Sequence, residues 1–447
     1  MIQALRSLAI NPGVSSIPSR FPVAVQAPVQ APVSARLAPV DRLQAQLRTG
    51  RIPAQPLQFA SFPAPGGDDL EQLLALQMQK LEHVAPSLES LPDFKVTPLK
   101  IAIEKSQSQV QVTLQQATLV GTTRSGETLQ LTDLTGDLEA QQTPEGIVVR
   151  LNGQTLGTFQ GPLRAEHEQE SLTINGSAFR GNLSLLTAAT GGFHVVNEVL
   201  LEDYLKSVVP SESPASWPQQ SLQAQAMAAR TYAVANWGKN KADGFDMNDD
   251  TSDQVYKGMS TEHPATQEAV AATRGQIITH GNKPITALFF SASGGHTDSA
   301  KEVWGVDLPY IQPVPDFDQA ASRYRWTLTR SEGQLRAALA ELGHQVGTIR
   351  RIEPLEHTPH DRVKQLKIVG SQGSVVVDGN RFRFAAKLYS TKFTVKASGG
   401  NFTFDGGGWG HALGMSQWGA RQMALDGFKA PDIVKHYYQG VDIQSLD

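Results

Sequence analysis

Residues 110–153 read VQVTLQQATLVGTTRSGETLQLTDLTGDLEAQQTPEGIVVRLNG, and this stretch decides the fold class. Val110, Val112 and Leu114 alternate with polar residues, the period of a strand with one buried face. Thr128–Leu131 and Ile147–Leu151 are further short apolar-rich runs. Ser125–Gly126, Glu145–Gly146 and Asn152–Gly153 separate the runs, and Asn175–Gly176 follows. Such pairs supply the positive φ that tight hairpins need. Residues 93–200 are therefore expected to form several short strands in series, an antiparallel sheet or barrel. Upstream, Leu70, Leu73, Leu74, Leu76, Met78 and Leu81 follow Asp68 and Asp69, which predicts a helix over 68–85, within a short helical segment 68–92. Residues 1–67 hold 10 of the 26 prolines, six arginines, no lysine and one acid, Asp41. They show no sustained period and are expected to be a disordered, Pro/Ala-rich leader or tether.

The composition excludes several functions. Lys plus Arg is 39 against 43 Asp plus Glu, a net charge of -4, so a dedicated nucleic-acid binder is not expected. The absence of Cys removes disulfides, thiolate metal sites and cysteine catalysis. No run of 18 apolar residues predicts a transmembrane helix. Met1–Val14 carries one Arg and no continuous apolar stretch, so no export signal is legible.

Downstream of residue 200 the sequence is denser in motif. Val208–Pro218 contains Glu212 between Pro210 and Pro214, which predicts extended or turn backbone around that carboxylate. Ser216 with Gln219 forms a capping-box pattern, and the helix is expected to run through Leu222–Trp237 and stop at Gly238. Ala224, Ala226, Ala228, Ala229, Ala233 and Ala235 make it a small-faced helix, so a neighbour is expected to pack very close to it. Ala287–Phe290 reads as a buried strand leading into Ser291-Ala292-Ser293-Gly294-Gly295-His296-Thr297. Gly406–Gly419 is rich in glycine, with Trp409 and Trp418 offering flat faces to sugar rings. On pattern alone a solvated loop glutamate and a tight turn are the favoured readings of the first two segments, and core-filling tryptophans account for the third as well as ring stacking does. Ser331–Leu342 predicts a helix and Ser374–Val377 a strand, an α+β portion spanning 330–390. The 11 His show no pair at HxxxH spacing, and no metal site or cofactor is expected.

Several motifs, in this order along the chain, resemble the SpoIID/LytB family of bacterial cell-wall proteins. They are Val195–Val199 with Glu202–Leu205, Val208–Pro218, Ala224–Ala233, Gln254–Gly258, Ser293–Thr297 with Val303–Gly305 and Leu308–Tyr310, Tyr389–Phe393, Gly408–Gly419 and His436–Tyr438. The resemblance covers roughly 170–445, with a looser β-rich part from about 97. It implies a β-rich α+β domain over 93–447 with a few helices around a glycan-binding cleft. It further implies lytic transglycosylase-like cleavage of peptidoglycan glycan strands, on strands already stripped of stem peptides, and an extracytoplasmic location. The family's catalytic glutamate matches Glu212. Ser293, Gly294, Gly295, Thr297, Trp409, His411, Ser416 and Gln417 are the candidate substrate-binding residues, and Trp418 is a second candidate for ring stacking. Some family members hold zinc with Cys and His. Here Cys is absent and Ser252 precedes Gln254-Val255-Tyr256, so no thiolate zinc site is expected. A second function class uses the same cleft: a non-catalytic wall-binding enhancer of an N-acetylmuramoyl-L-alanine amidase. A third is a metal-dependent wall hydrolase using His296 and His411.

Overall fold

The structure, a computed structural model, describes residues 85–167 and 169–446. The expected leader and nearly all of the expected helix over 68–85 lie outside the described residues. Within 85–92 the chain makes a single 3-10 turn, Leu88–Ser90.

The fold is α+β, and its largest element is a ten-stranded sheet. In chain order its strands are β1 (Leu99–Gln107), β2 (Gln109–Thr123), β3 (Thr128–Thr143), β4 (Gly146–Leu151), β5 (Gln154–Glu166), β6 (Leu172–Ile174), β7 (Ser177–Phe179), β8 (Asn182–Thr187), β9 (Phe193–Val199) and β10 (Met247–Asn248). They lie in the order β10-β1-β9-β8-β5-β4-β3-β2-β6-β7, and β2 also pairs with β5, so β2 to β5 close on one another. All neighbours are antiparallel except β1 and β10, where Ile101 lies beside Met247. The alternation at Val110, Val112 and Leu114 puts these three side chains in the core, with the intervening residues exposed. Asn152–Gly153 (φ 50° and 81°) and Asn175–Gly176 (φ 45° and 83°) both take paired positive φ, the two-residue hairpin geometry their sequences predict.

β9 is buried at every position and runs directly into α1 (Leu201–Glu212), followed by α2 (Gln219–Ala235) and α3 (Pro264–Ala272). Fourteen of the seventeen residues of α2 are buried, so this helix is central rather than amphipathic. Its alanines let neighbours approach on every side, as the small-faced sequence predicts. The helix begins at Gln219, with Pro218 as N-cap and no side-chain cap. Ser216 is exposed. The Gln219 amide instead donates to the Ala265 carbonyl at 2.8 Å, so the expected capping box does not form. The helix ends at Ala235, before the expected stop at Gly238.

A second hydrophobic core is built by residues 326–404. It contains Leu335, Leu339, Leu366, Ile368, Phe382, Phe393 and Phe404 between two three-stranded sheets and the helices Glu332–Glu341 and Gly379–Ala385. The expected helix after Ser331 is present with its capping box to Gln334, and the expected strand at 374–377 lies within Gly373–Asp378.

Candidate active site

Glu212 occupies the last position of α1 rather than an extended loop. Pro210 was expected to hold the chain extended, but it is accommodated inside the last turn of the helix. A proline there sacrifices one backbone hydrogen bond, and local bonds offset the loss. Ser211 Oγ donates to the Ser207 carbonyl at 2.7 Å, and the Ser213 N–H donates to Val209 at 2.9 Å.

The half-buried Glu212 carboxylate is held from two directions. Oε1 accepts from the Val255 N–H at 3.1 Å, and Oε2 accepts from the Gln417 side-chain amide at 3.4 Å. Val255 is fixed by its neighbours. Asp253 is buried and accepts from Tyr232 Oη at 2.9 Å, from the Asn248 N–H at 3.0 Å, and from the buried Lys239 ammonium. Gln254 accepts from Tyr204 Oη at 3.2 Å. Burial pushes both tyrosine hydroxyls well up, with the negative charge of Asp253 next and that of Glu212 contributing. They are neutral phenols beside the carboxylate. Burial also pushes Asp249 up to about 6, against the pull of Lys257.

The two loops rich in small residues pack backbone to backbone. Ala292 and Trp409 exchange N–H···O bonds of 3.0 and 2.6 Å. Gly294 (φ +77°) and Gly408 (φ +83°) must be glycine, because a Cβ on either would stand within 2.6–2.9 Å of the opposing backbone. The Trp418 N–H donates to Ser291 at 3.1 Å, so the Ser291–Thr297 loop and the segment carrying Gln417 are one structure.

Within that structure the sequence candidates divide. Gln417 touches Glu212, while Trp409 and His411 are half-exposed. His411 Nδ1 accepts from the Leu413 N–H, and the ring sits between Phe290 and Trp304, each at 5.3 Å. Ser293, Thr297 and Ser416 are buried, with their hydroxyls committed to backbone. Ser293 Oγ accepts from Gly295, Thr297 bonds both ways with Val314, and Ser416 caps the helix Gln417–Leu425 through Gly419. The Gly294 N–H donates to Asp318. These residues shape the loops rather than line a cleft. Trp418 is buried as well, with Trp217 at 5.2 Å and the Arg421 guanidinium at 5.3 Å, so it is not an open face for a sugar. Val255 and Tyr389, whose ring lies 5.8 Å from Trp409, were not candidates. A backbone N–H carries no sequence signature, and a single tyrosine carries little.

Among the described residues, no group of three or more His, Asp or Glu could hold a metal ion. His296 stacks on His360 at 3.7 Å with its Nδ1 on a backbone carbonyl, while His411 takes its ring contacts from Phe290 and Trp304. Beside Gln254, a buried Ser252 and an Asp253 engaged by the Lys239 ammonium do not fit a zinc site.

Asp318, 0 % exposed, accepts from the Gly294 N–H at 2.7 Å. Burial, reinforced by the charge of Asp316, pushes it up to about 7. The unfolded chain releases this proton near the ordinary value of about 3.9. The group's contribution to stability is therefore present below about pH 4 and is lost as the pH rises to about 7. Asp318→Asn keeps the acceptor and removes the titration. The stability of the variant relative to the unmodified protein should rise by on the order of a few kcal/mol between pH 4 and pH 8, read by urea unfolding. A difference that is flat with pH would contradict this.

A family model described as stage II sporulation protein, SpoIID, matches residues 189–280, and a model of a domain of unknown function matches 299–414. Stage II sporulation protein D of Bacillus amyloliquefaciens is 36% identical over 270 residues, 57% of this chain and 77% of that protein. Its counterpart in Bacillus subtilis (strain 168) is 34% identical over 268 residues, 56% of this chain and 76% of that protein. This chain belongs to the SpoIID family. The SpoIID chain is also similar to a protein named amidase enhancer from Bacillus subtilis (strain 168), 29% identical over 352 residues, 66% of this chain and 49% of that protein. The SpoIID match begins just before β9 and runs through α1, α2 and α3, so it includes Glu212 and the segment holding Val255. Among the described residues, no helix is long and apolar enough to cross a membrane.

Proposed function

We propose that the chain cleaves peptidoglycan glycan strands outside the cytoplasm by a lytic transglycosylase-like mechanism, with Glu212 as the single acid/base. One observation carries this: the Glu212 carboxylate is half-buried and oriented at both oxygens, by a backbone N–H from one segment and an amide from another. Glycoside cleavage needs a proton on the leaving oxygen while positive charge builds at the anomeric carbon. Protonated Glu212 donates that proton as the glycosidic bond breaks. The resulting carboxylate then takes the proton from the sugar's own hydroxyl as that oxygen bonds the anomeric carbon, giving an anhydro-muramic end. No second carboxylate is needed and no water is consumed.

Trp409 supports a ring on its half-exposed face, beside Tyr389. Trp409→Ala is expected to weaken strand binding about fivefold with the fold intact, because the apolar contact of a sugar ring with the indole face contributes about 1 kcal/mol. Sedimentation with insoluble strands reads this directly, and unchanged binding would remove Trp409 from the site.

The similarity to an amidase enhancer favours a second reading, a wall-binding protein that raises a partner amidase's activity without cutting glycan. The test is release of soluble fragments from peptide-free strands by the purified protein alone, compared with stem-peptide release by an added N-acetylmuramoyl-L-alanine amidase. Fragment release by the protein alone supports cleavage. Stimulation of the amidase without any fragment release supports the enhancer.

A further inference from the structure

The backbone N–H groups of Gly407, Gly408 and Gly410, on either side of Trp409, bind the carbonyls of two basic residues and a tyrosine. The Gly407 N–H donates to Lys392 at 3.0 Å, the Gly408 N–H to Arg323 at 2.8 Å, and the Gly410 N–H to Tyr389 at 3.0 Å. Two cations and an aromatic residue are thereby anchored along the edge of the half-exposed Trp409. The Arg323 guanidinium lies 4.5 Å above the Tyr389 ring, which meets Trp409 edge-on at 5.8 Å. Arg325 is exposed, stacks on Tyr324 at 4.2 Å and donates to the Gly294 carbonyl at 3.1 Å, which lays its head across Gly407. Lys392 is half-buried; burial lowers its ammonium, and the charges of Arg362 and Arg325 add to this against Asp361 and Asp318. Among the described residues, Arg323, Arg325 and Lys392 form no ion pair. Three cations gathered here, two of them held on aromatic faces and none in an ion pair with a carboxylate of the described residues, are arranged to bind an external anion.

We propose that Arg323, Arg325 and Lys392, framing Trp409, form a carboxylate subsite that takes the free lactyl carboxylate of a muramic acid residue whose ring stacks on Trp409. This rests on the glycan-strand reading above and assigns what selects the strand. A stem peptide converts the lactyl carboxylate to a neutral amide, so peptide-bearing strands lose the anion at this position. Stem peptides carry carboxylates of their own, and the experiment separates the two sources.

The test measures binding, so it does not depend on whether the protein cleaves. The full chain carrying Glu212→Gln, which keeps strands intact, is titrated with three fluorescently end-labelled strands: peptide-free, peptide-free with carboxylates amidated, and peptide-bearing. The expected result is at least about tenfold tighter binding of the peptide-free strand than of either other strand, with the preference falling as salt rises. Arg323→Gln with Arg325→Gln and Lys392→Gln should bring peptide-free and amidated strands to equal affinity, while the far-ultraviolet circular dichroism is unchanged. Arg325→Gln alone, a surface change, should remove part of the preference should the triple variant misfold. Equal binding of amidated and peptide-free strands overturns the subsite. Equal binding of peptide-bearing and peptide-free strands overturns the lactyl assignment. Failure of the cleavage reading would leave all of these affinities unaffected.

Discussion

Glu212→Gln should reduce cleavage of peptide-free strands by about 10²–10⁴-fold, the usual contribution of a positioned general acid or base, and by more if both half-reactions need the group. The substitution preserves shape. A glutamine carbonyl still accepts from the Val255 N–H, and Gln417 needs only to turn its amide to present a carbonyl to the new NH₂. Stability should stay within about 1 kcal/mol, as for a part-exposed isosteric change. Strand binding should be unchanged. Glu212→Asp retracts the carboxyl by one methylene from both donors, so it should keep ionisable chemistry yet lose most of the rate. A Glu212→Gln protein that cuts strands at an undiminished rate would assign the acid elsewhere, with Asp249, held up to about 6, as the next carboxyl to test.

Arg230→Met should destabilise the fold by roughly 3–5 kcal/mol, the range for breaking a buried ion pair by removing one partner. Arg230 is 0 % exposed on α2. It makes a bidentate pair with Glu202 of α1, at 2.7 and 2.9 Å. Its remaining donors reach the Val270 carbonyl of α3 at 3.2 Å and the Gln276 carbonyl at 3.3 Å. One guanidinium thus ties α1, whose end carries Glu212, to two further elements. Arg230→Lys should recover little, because an ammonium cannot reproduce the fork. Urea unfolding of Arg230→Met, Glu202→Gln and the double variant reads the coupling. A loss below about 1 kcal/mol would show that the helices hold without the pair.

Much of the fold was legible in the sequence where local chemistry and tertiary structure agree. The Val110–Leu114 alternation, the Asn–Gly turns and the Ser331 capping box each state a backbone preference that burial reinforces. Pro210 was misleading because a proline's local bias is a few kcal/mol at most and the burial of Val208 and Val209 on α1 outweighs it. The Ser216 capping box failed because Gln219 found a tertiary partner in Ala265. In the site, glycine richness showed that two backbones meet, but it could not say which hydroxyls face inward. Ser293 and Ser416 are 0 % exposed, and only the structure shows that the loop and cap consume them. The cations at 323, 325 and 392 were invisible for a different reason. Lys392 is far in sequence from Arg323 and Arg325, and backbone bonds to Gly407 and Gly408 gather Lys392 and Arg323 beside Trp409.

The most direct measurement is mass spectrometry of the ends left on peptide-free strands by the purified protein and by its Glu212→Gln variant. The account predicts anhydro-muramic ends from the unmodified protein, one water lighter than hydrolytic ends, and none from the variant. Reducing ends would contradict attack by the sugar's own hydroxyl, and intact strands from both proteins would contradict glycan cleavage itself.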